Sequence, residues 1–251
     1  MQLKSSQLQR RVHEKYHIKT TAQKKIIDDK NFTYRLLIKV LSKKINTKKL
    51  KVLDIGCGAG TICFYLANKG HDVTGIDISQ KAINECRVSA KNLGIKGVDF
   101  VRLDFPKENL RGKKYDIVIL TEVIEHLEYD DLAIREISKL LRSNGLLILS
   151  TPSIKAPLNK LGLTKDFDKR VGHLRRYSLL SLKKLLKGND FEIKEIVKTE
   201  GIIRNFLFVN PYAGKLVKII NRYGSDLVTF LDNISLKLFG ESNYIIVAKK
   251  R

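Results

Sequence analysis

Residues 52–60 constrain the fold of this 251-residue chain more than any other stretch. They read Val-Leu-Asp-Ile-Gly-Cys-Gly-Ala-Gly, an apolar run that reaches an acid and then breaks into glycines at every second position. Such an apolar run is typical of a buried parallel strand, and glycines permit a turn whose backbone approaches a ligand closely. A helical pattern follows over residues 61–67. The sequence therefore predicts a strand, a loop and a helix at the place where open α/β sheets bind nucleotides.

Acids follow or end three successive predicted strands around this loop. Asp54 belongs to the first strand, Asp77 ends the second and Asp104 ends the third. Because parallel strands bring their carboxyl ends to one edge of a sheet, we expect these carboxylates to lie close together. A carboxylate in the position of Asp77 can accept two hydrogen bonds from adjacent ribose hydroxyls.

The glycine spacing distinguishes two kinds of nucleotide-binding loop. The dinucleotide fingerprint G-x-G-x-x-G requires a third glycine where this chain has Thr61. The chain instead has G-x-G-x-G at Gly56, Gly58 and Gly60, with Asp54 two residues before the first glycine. This arrangement resembles motif I of the class I methyltransferases that depend on S-adenosylmethionine (SAM), and the resemblance extends over residues 51–152.

The resemblance implies that SAM is the cofactor. Asp54 would orient the loop and meet the methionine amino group, Asp77 would bind the ribose, and Asp104 would contact the adenine amino group. The cofactor residues implied by the resemblance are Asp54, Gly56, Gly58, Gly60, Asp77, Ile78, Asp104, Phe105, Thr121 and Glu122.

The expected fold is an α/β, Rossmann-like, doubly wound sheet of seven strands whose last strand is antiparallel. N-terminal helices and a helical insertion before the last strand would complete it. Pro152 and Pro157 predict a polar loop through Arg170 rather than a strand or helix. The predicted divisions are a basic N-terminal helical cap (1–49), a SAM-binding core (50–200), an amphipathic helical insertion (201–242) and the last strand (243–251).

The formal net charge is +22, and the first 50 residues contain 14 Lys or Arg but three acids. This charge indicates either a basic surface for nucleic acid or anionic lipid, or a general lysine bias without any partner. The three cysteines are typical of reduced, packed thiols, and neither a signal-peptide core nor a spanning apolar stretch is present. We therefore expect a cytoplasmic protein.

Residues 201–242 are longer than the short hairpin that commonly stands there in the superfamily. Their apolar residues recur at intervals of three and four, which predicts amphipathic helices. Two interpretations stay open. The helices either pack on their own sheet, or they cover an apolar substrate or rest on a membrane surface.

Glu122, Glu125 and His126 follow the fourth strand, and if residues 122–127 are helical these three share one face. With His173 from the loop after strand five, they offer a carboxylate and imidazole set that suits Mg²⁺ or another divalent cation. The pattern is similar to that of ubiquinone-biosynthesis O-methyltransferases and, more distantly, of small-RNA 2′-O-methyltransferases. The alternative is a metal-free site in which His126 is a catalytic base or a structural donor.

We therefore expect a SAM-dependent methyltransferase that acts on a hydroxyl oxygen of a small or lipid-like acceptor. Peripheral membrane contact would accompany a lipid-like acceptor. The alternative acceptor is RNA, bound by the basic N-terminal surface, but the chain resembles small-molecule members over residues 172–178. A dinucleotide oxidoreductase is disfavoured by Thr61, and a non-catalytic SAM-binding scaffold is a further alternative. The sequence does not indicate the oligomeric state.

Overall fold

The computed structural model describes residues 14, 21–45, 48–108, 110 and 112–251. Its centre is a seven-stranded sheet with the order β3-β2-β1-β4-β5-β7-β6. The strands are β1 (Lys51–Ile55), β2 (Asp72–Asp77), β3 (Val98–Arg102), β4 (Tyr115–Thr121), β5 (Leu141–Pro152), β6 (Phe191–Thr199) and β7 (Asn243–Lys250). Strands β1 to β5 pair in parallel, whereas β7 runs antiparallel to both β5 and β6. The predicted fold class is confirmed.

Strand order reverses between β1 and β4, which lie side by side although β2 and β3 separate them in sequence. In open α/β sheets a crevice forms at the carboxyl ends of the strands beside such a reversal. The glycine loop after β1 and the residues after β4 therefore face the same crevice.

Helices cover both faces of the sheet. The helices are α1 (Arg35–Lys44), α2 (Thr61–Asn68), α3 (Gln80–Leu93), α4 (Asp130–Leu140), α5 (Pro157–Lys160), α6 (Lys165–Val171), α7 (Leu179–Gly188), α8 (Ile202–Val209), α9 (Gly214–Ile219) and α10 (Ser225–Phe239). Apolar residues of α1, α2 and α3 pack in one core cluster, and those of α4 and α7 pack in a second. A π-helical turn, Ile220–Gly224, joins α9 to α10.

Helix α1 docks through its apolar face. Leu37, Ile38, Val40 and Leu41 are buried. The other helices predicted in the N-terminal cap fall mainly on residues outside the described ranges.

The predicted polar loop through Arg170 is wrong in part, because α5 and α6 lie within it. Pro157 does not prevent α5, since it occupies the first position of that helix. The N–H that proline lacks has no helical partner at that position. Residues 143–145 lie inside β5, whose ladder with β4 shifts register between Tyr115 and Ile117.

The insertion is helical, as predicted, and it folds against the N-terminal segment. Phe32 is fully buried beside Leu207, Ala213 and Ile220. The Phe32 amide donates to Asn221 Oδ1 at 2.7 Å, and Arg35 of α1 pairs with Asp226 of α10 at 2.8 Å. These two regions, far apart in sequence, therefore form one layer above the carboxyl ends of the strands.

Candidate active site

A cavity of about 690 Å³ lies at the carboxyl ends of the strands, a volume suited to a cofactor and a small substrate. The glycine loop after β1 forms its floor, and residues after β2, β3 and β4 form its sides. Leu36 and Leu37 of α1 and Phe208 and Val209 of α8 complete the wall. The layer made by the N-terminal segment and the insertion therefore contributes to the cavity.

The three glycines of the loop have left-handed backbones, with φ of +73° at Gly56, +52° at Gly58 and +74° at Gly60. L-residues with a side chain rarely adopt this conformation. A Cβ at position 56 would also lie 2.4 Å from Val123 Cγ2. The alternate glycines are therefore required by the turn itself and by the close approach of residue 123.

Asp77 holds the loop through its two carboxylate oxygens. Oδ2 accepts from the Gly58 amide and Oδ1 from the Ser79 amide, both at 2.9 Å. Asp77 lines the cavity while making these bonds. It therefore fixes the loop in addition to any contact with a ribose.

Most residues that the sequence assigns to the cofactor line this one cavity: Asp54, Gly56, Gly58, Asp77, Ile78, Asp104, Phe105, Thr121 and Glu122. Gly60 does not, and it lies immediately before α2 as the last residue of the turn. The structure thus brings nine of the ten assigned residues together around the same space.

Asp54 is the most deeply buried acid of the loop, with 3% of its surface exposed. Burial raises its pKa to about 7, although a hydrogen bond from the Cys63 thiol at 3.2 Å opposes the shift. A carboxyl group with this pKa is ready to ionise when a cation arrives. A methionine ammonium group would supply that cation.

Residues 122–127 do not form the helix on which the shared face of Glu122, Glu125 and His126 depended. Only a short 3₁₀ turn, Ile124–His126, is present, and Glu122 precedes it with φ of +54°. Glu122 Oε1 accepts from Ser150 Oγ at 2.6 Å and from Asn243 Nδ2 at 2.8 Å. These contacts hold Glu122 directly after the end of β4, and the chain turns there before a regular helix can begin.

Three of the four predicted metal ligands do come together. Glu125, His126 and His173 each offer one ligand atom, and these atoms lie within 4.8 Å of one another. Glu122 is not part of this cluster. Both histidines line the cavity, and Glu125 lies behind them with no exposed surface.

Glu125 is an under-satisfied buried carboxyl group. Its Oε2 accepts from Thr151 Oγ1 at 2.9 Å, but its buried Oε1 has no hydrogen-bond partner among the described residues. His173 Nε2 lies 3.8 Å from Oε1. Burial, followed by the charge of Glu122, raises the pKa of Glu125. An oxygen in this state is available to a cation or a proton.

His173 is oriented by Asp168, which the sequence analysis did not identify. His173 Nδ1 lies 2.8 Å from Asp168 Oδ1, and Arg176 donates to both oxygens of the same carboxylate at 2.8 and 2.6 Å. Burial alone would raise the pKa of Asp168, but the bonds from His173 and Arg176 hold it at about 2. The ionised Asp168 therefore keeps the proton on His173 Nδ1 and leaves Nε2 as the basic nitrogen. The only sequence signal was a histidine five residues after an acid.

His126 is oriented in a similar way. Its Nδ1 lies 3.1 Å from the carbonyl oxygen of Gly172, which can only accept a hydrogen bond. The two imidazole rings meet edge to face with centroids 4.8 Å apart. The site therefore presents two oriented imidazoles and one buried carboxyl group at the edge of the cavity.

The sequence analysis also missed Glu200, a carboxylate that lines the cavity itself. Glu200 follows β6 with φ of +59° and lines the cavity. Burial and the charge of Glu122 raise its pKa to about 8. Its signal was weak, because an acid after a strand near the insertion has no motif around it.

Comparison with known proteins agrees with this geometry. A family model described as "Methyltransferase domain" matches residues 46–201. The ubiquinone biosynthesis O-methyltransferase of Rickettsia felis is 32% identical over 197 residues, which cover 70% of this chain and 78% of that protein. The enzyme of the same name from Pelagibacter ubique is 35% identical over 113 residues, which cover 45% of this chain and 46% of that protein. Several of these matches thus span about half of the relative.

Solved structures share the fold at low sequence identity. The magnesium protoporphyrin IX methyltransferase of Synechocystis PCC 6803, solved with bound SAH, has a TM-score of 0.61 at 21% identity and covers 96% of this chain and 92% of its own. A Pyrococcus horikoshii protein has a TM-score of 0.65 at 20% identity, with coverage of 94% and 99%. The matched family model and these likenesses confirm the resemblance stated from the glycine loop: the chain belongs to the methyltransferase domain family and has the fold of its SAM-dependent members.

Proposed function

We propose that this protein transfers the methyl group of SAM to a hydroxyl oxygen of a small or lipid-like molecule. The observation that carries the proposal is the continuity of one cavity, from the glycine loop to the His126 and His173 imidazoles. In this proposal residues 50–200 hold the cofactor. The N-terminal segment (1–49) and the insertion (201–242) cover the acceptor.

The lining of the cavity supports an acceptor with an apolar part. Leu37, Phe167, Phe208 and Val209 are among the residues that line it. The relatives named above are ubiquinone biosynthesis O-methyltransferases, and their names agree with a hydroxyl acceptor. A cytoplasmic enzyme would meet a lipid-like acceptor at a membrane surface, so peripheral contact belongs to the proposal. The relatives give no support to the RNA acceptor, and we retain the small molecule.

Alignment is the main contribution of the protein to the reaction. The sulfonium of SAM already activates the methyl group, so the chain needs to place an oxygen in line with it and exclude water. Holding two reactants in line can supply about 7–11 kcal/mol. Asp54 would fix the methionine end of the cofactor and Asp77 its ribose, and the covering layer would close the cavity.

The acceptor hydroxyl must lose its proton as the methyl group arrives. His126 is the base that the sequence predicts, and its Nδ1 contact with Gly172 orients it. His173 is a second candidate, favoured by the ionised Asp168 on its Nδ1. In either case Nε2 would take the proton, and for His173 the carboxylate would stabilise the imidazolium.

A divalent cation fits the same residues. The buried Oε1 of Glu125 lacks a hydrogen-bond partner in the described part of the chain, and a carboxylate with two imidazoles is a common set for such ions. His126, His173 and Glu125 would hold the cation, and Asp168 would orient His173 from behind. When bound, the cation would lower the pKa of the acceptor hydroxyl.

The cofactor proposal is tested by calorimetric titration of the full chain with SAM. We expect one site per chain and at least about a tenfold weaker affinity for Asp77→Ala, because that residue holds the loop. Asp99→Ala, an exposed acid on β3, is the matched control and should bind as the parent does. Absence of SAM binding to the folded chain would contradict the proposal.

Methyl-transfer assays with labelled SAM and lipid extract distinguish a mechanism that uses a cation from one that uses only a histidine base. If a cation is used, chelation abolishes turnover and added Mg²⁺ restores it. If only a base is used, chelation has no effect, whereas His126→Ala or His173→Ala lowers kcat by about 10²–10⁴-fold. Full activity in both variants would exclude both roles.

A further inference from the structure

Helix α10 buries its polar side and exposes its apolar side, the reverse of the usual orientation of an amphipathic helix. Its buried residues are polar, namely Thr229, Asp232 and Ser235. Its apolar stripe faces away from the protein, with exposed fractions from 42% to 71%, at Leu227, Phe230, Leu231, Ile234 and Leu238. These positions recur at three and four residues, so they form one continuous face of the helix.

The orientation is fixed by a buried polar interface. Asp232 accepts from the Gly201 amide at 3.0 Å and from the Arg204 amide at 2.9 Å. The Arg204 guanidinium also donates to Thr229 Oγ1 at 2.9 Å and lies 3.4 Å from Asp232. Turning α10 over would leave these buried polar groups without partners, and that cost opposes the burial of its apolar stripe.

Gly201 makes the inversion sterically possible. A Cβ at position 201 would lie 2.0 Å from Ser235 Oγ and 2.5 Å from the Asp232 carbonyl oxygen. The helix therefore approaches the backbone of residue 201 through its small polar side. The apolar side of the helix therefore faces outward.

The neighbouring helices also expose large apolar side chains. The exposed residues of the insertion outside α10 are Phe206, Tyr212, Leu216, Ile219 and Tyr223. Isolated apolar residues on a surface need no explanation, but a cluster of this size marks an interaction site. We define the docking face as the exposed apolar residues of α10 together with these five.

The charges around the docking face identify its partner. Lys215, Lys218, Arg222 and Lys237 are exposed on the same helices. The one exposed acid among residues 202–239 is Asp226, which pairs with Arg35. Two copies of this surface would bring like charges together, so a second copy is disfavoured. Apolar residues with basic residues beside them suit the boundary between acyl chains and anionic headgroups.

We propose that the docking face binds the surface of an anionic phospholipid bilayer. Within the described residues, no helix is long and apolar enough to cross a bilayer, so the face would lie along the surface. Helix α8 connects this contact to the cavity, because it exposes Phe206 while Asn205 and Phe208 line the cavity. An acceptor dissolved in the bilayer would thus enter beside α8. Only this last consequence rests on the proposed function.

The test is co-sedimentation of the full chain with vesicles of phosphatidylcholine, with or without phosphatidylglycerol. We expect binding to the anionic vesicles that weakens with salt. The double variant Phe230→Gln with Ile234→Gln should lower it by at least about tenfold, because apolar contact and charge act together. The matched control, Val88→Gln with Leu180→Gln, changes exposed apolar residues of α3 and α7 and should bind as the parent does.

Three results would overturn the inference. They are absence of binding to anionic vesicles, undiminished binding of the Phe230 and Ile234 double variant, and a dimer that this variant abolishes. Undiminished binding would place the contact elsewhere, such as on the basic N-terminal segment. SAM titration of the same samples separates this inference from the proposed function: vesicle binding without SAM binding would refute only the proposed function.

Discussion

Helices α4 and α10 have similar amphipathic patterns but turn opposite faces to the protein. α4 buries Ala133, Ile134, Ile137 and Leu140 against the sheet, whereas α10 buries Thr229, Asp232 and Ser235. The periodicity of apolar residues predicts that a helix forms, and it does so in both regions. It does not determine which face points inward, because that depends on what the helix meets. α4 meets an apolar sheet face, and α10 meets the Arg204 guanidinium and the backbone of Gly201.

The largest expected effect concerns the ion pair that orients α10. Arg204→Ala should lower the free energy of unfolding by about 3–5 kcal/mol, because Asp232 would stay buried without its counter-charge. Arg135→Ala is the control, since Arg135 pairs with Asp131 on the exposed surface of α4 and should cost less than about 1 kcal/mol. Urea unfolding followed by circular dichroism measures both. Equal losses would mean that the buried pair does not fix α10.

The next effect compares one isoleucine in each helix. Ile137 is fully buried in α4, so Ile137→Ala should cost about 2–5 kcal/mol through lost transfer energy and a cavity. Ile234 is 42% exposed in α10, and Ile234→Ala should change stability by less than about 1 kcal/mol. The same urea titration tests both variants. A large loss at Ile234 would show that the outward face of α10 is covered in solution.

A third prediction compares an acid of the core with an acid of the insertion through the pH dependence of SAM binding. The pKa of Asp54 stands at about 7, so its carboxyl group is protonated below that pH when no ligand is bound. In the proposed function the ionised form binds the ammonium of SAM, so binding would release the proton. SAM affinity should therefore fall as pH falls below 7, by up to about tenfold per pH unit.

Two substitutions check that dependence. Asp54→Asn should weaken SAM binding and remove its pH dependence, whereas Asp226→Asn, an exposed acid of the insertion, should leave both unchanged. Calorimetric titrations in buffers of different ionisation enthalpy count the protons released. An affinity that is constant from pH 5 to 8 would show that Asp54 does not meet the cofactor cation.

The smallest effect compares one lysine in each helix. Lys139 of α4 pairs with Glu136 at 2.8 Å, and Lys237 is exposed on α10. Neither Lys139→Gln nor Lys237→Gln should change the free energy of unfolding by more than about 0.5 kcal/mol. Only Lys237→Gln should weaken binding to anionic vesicles, by about 1 kcal/mol. Equal effects of the two variants on vesicle binding would assign that binding to overall charge.

The core could be predicted from sequence because its signals are local. The apolar run and the three glycines mark the end of β1, and Asp77 marks the end of β2. The parallel sheet then brings these strand ends together. Nine of the ten assigned cofactor residues line one cavity for this reason. The antiparallel last strand was expected as part of the fold that the resemblance implies, and β7 inserts between β5 and β6 in the sheet.

The rest depended on contacts between distant residues. Asp168 orients His173 only because α6 forms, and Pro157 and the polar composition had predicted a loop there. Glu122 was expected on a helical face with Glu125, but its bonds to Ser150 and Asn243 involve residues 28 and 121 positions away. The inward polar face of α10 likewise depends on Arg204, 28 residues earlier. No pattern within a window of one helix contains such information.

The packed thiols expected from the sequence give the cofactor loop a natural reporter. All three cysteines are buried and unbridged; Cys63 donates to Asp54, and Cys86 donates to the Gly58 carbonyl at 3.2 Å. Burial raises the pKa of Cys63 to about 12, so almost no reactive thiolate exists in the native fold. Alkylation by iodoacetamide will therefore report local opening around these three cysteines, and mass spectrometry can follow each of them in the native chain without an introduced label.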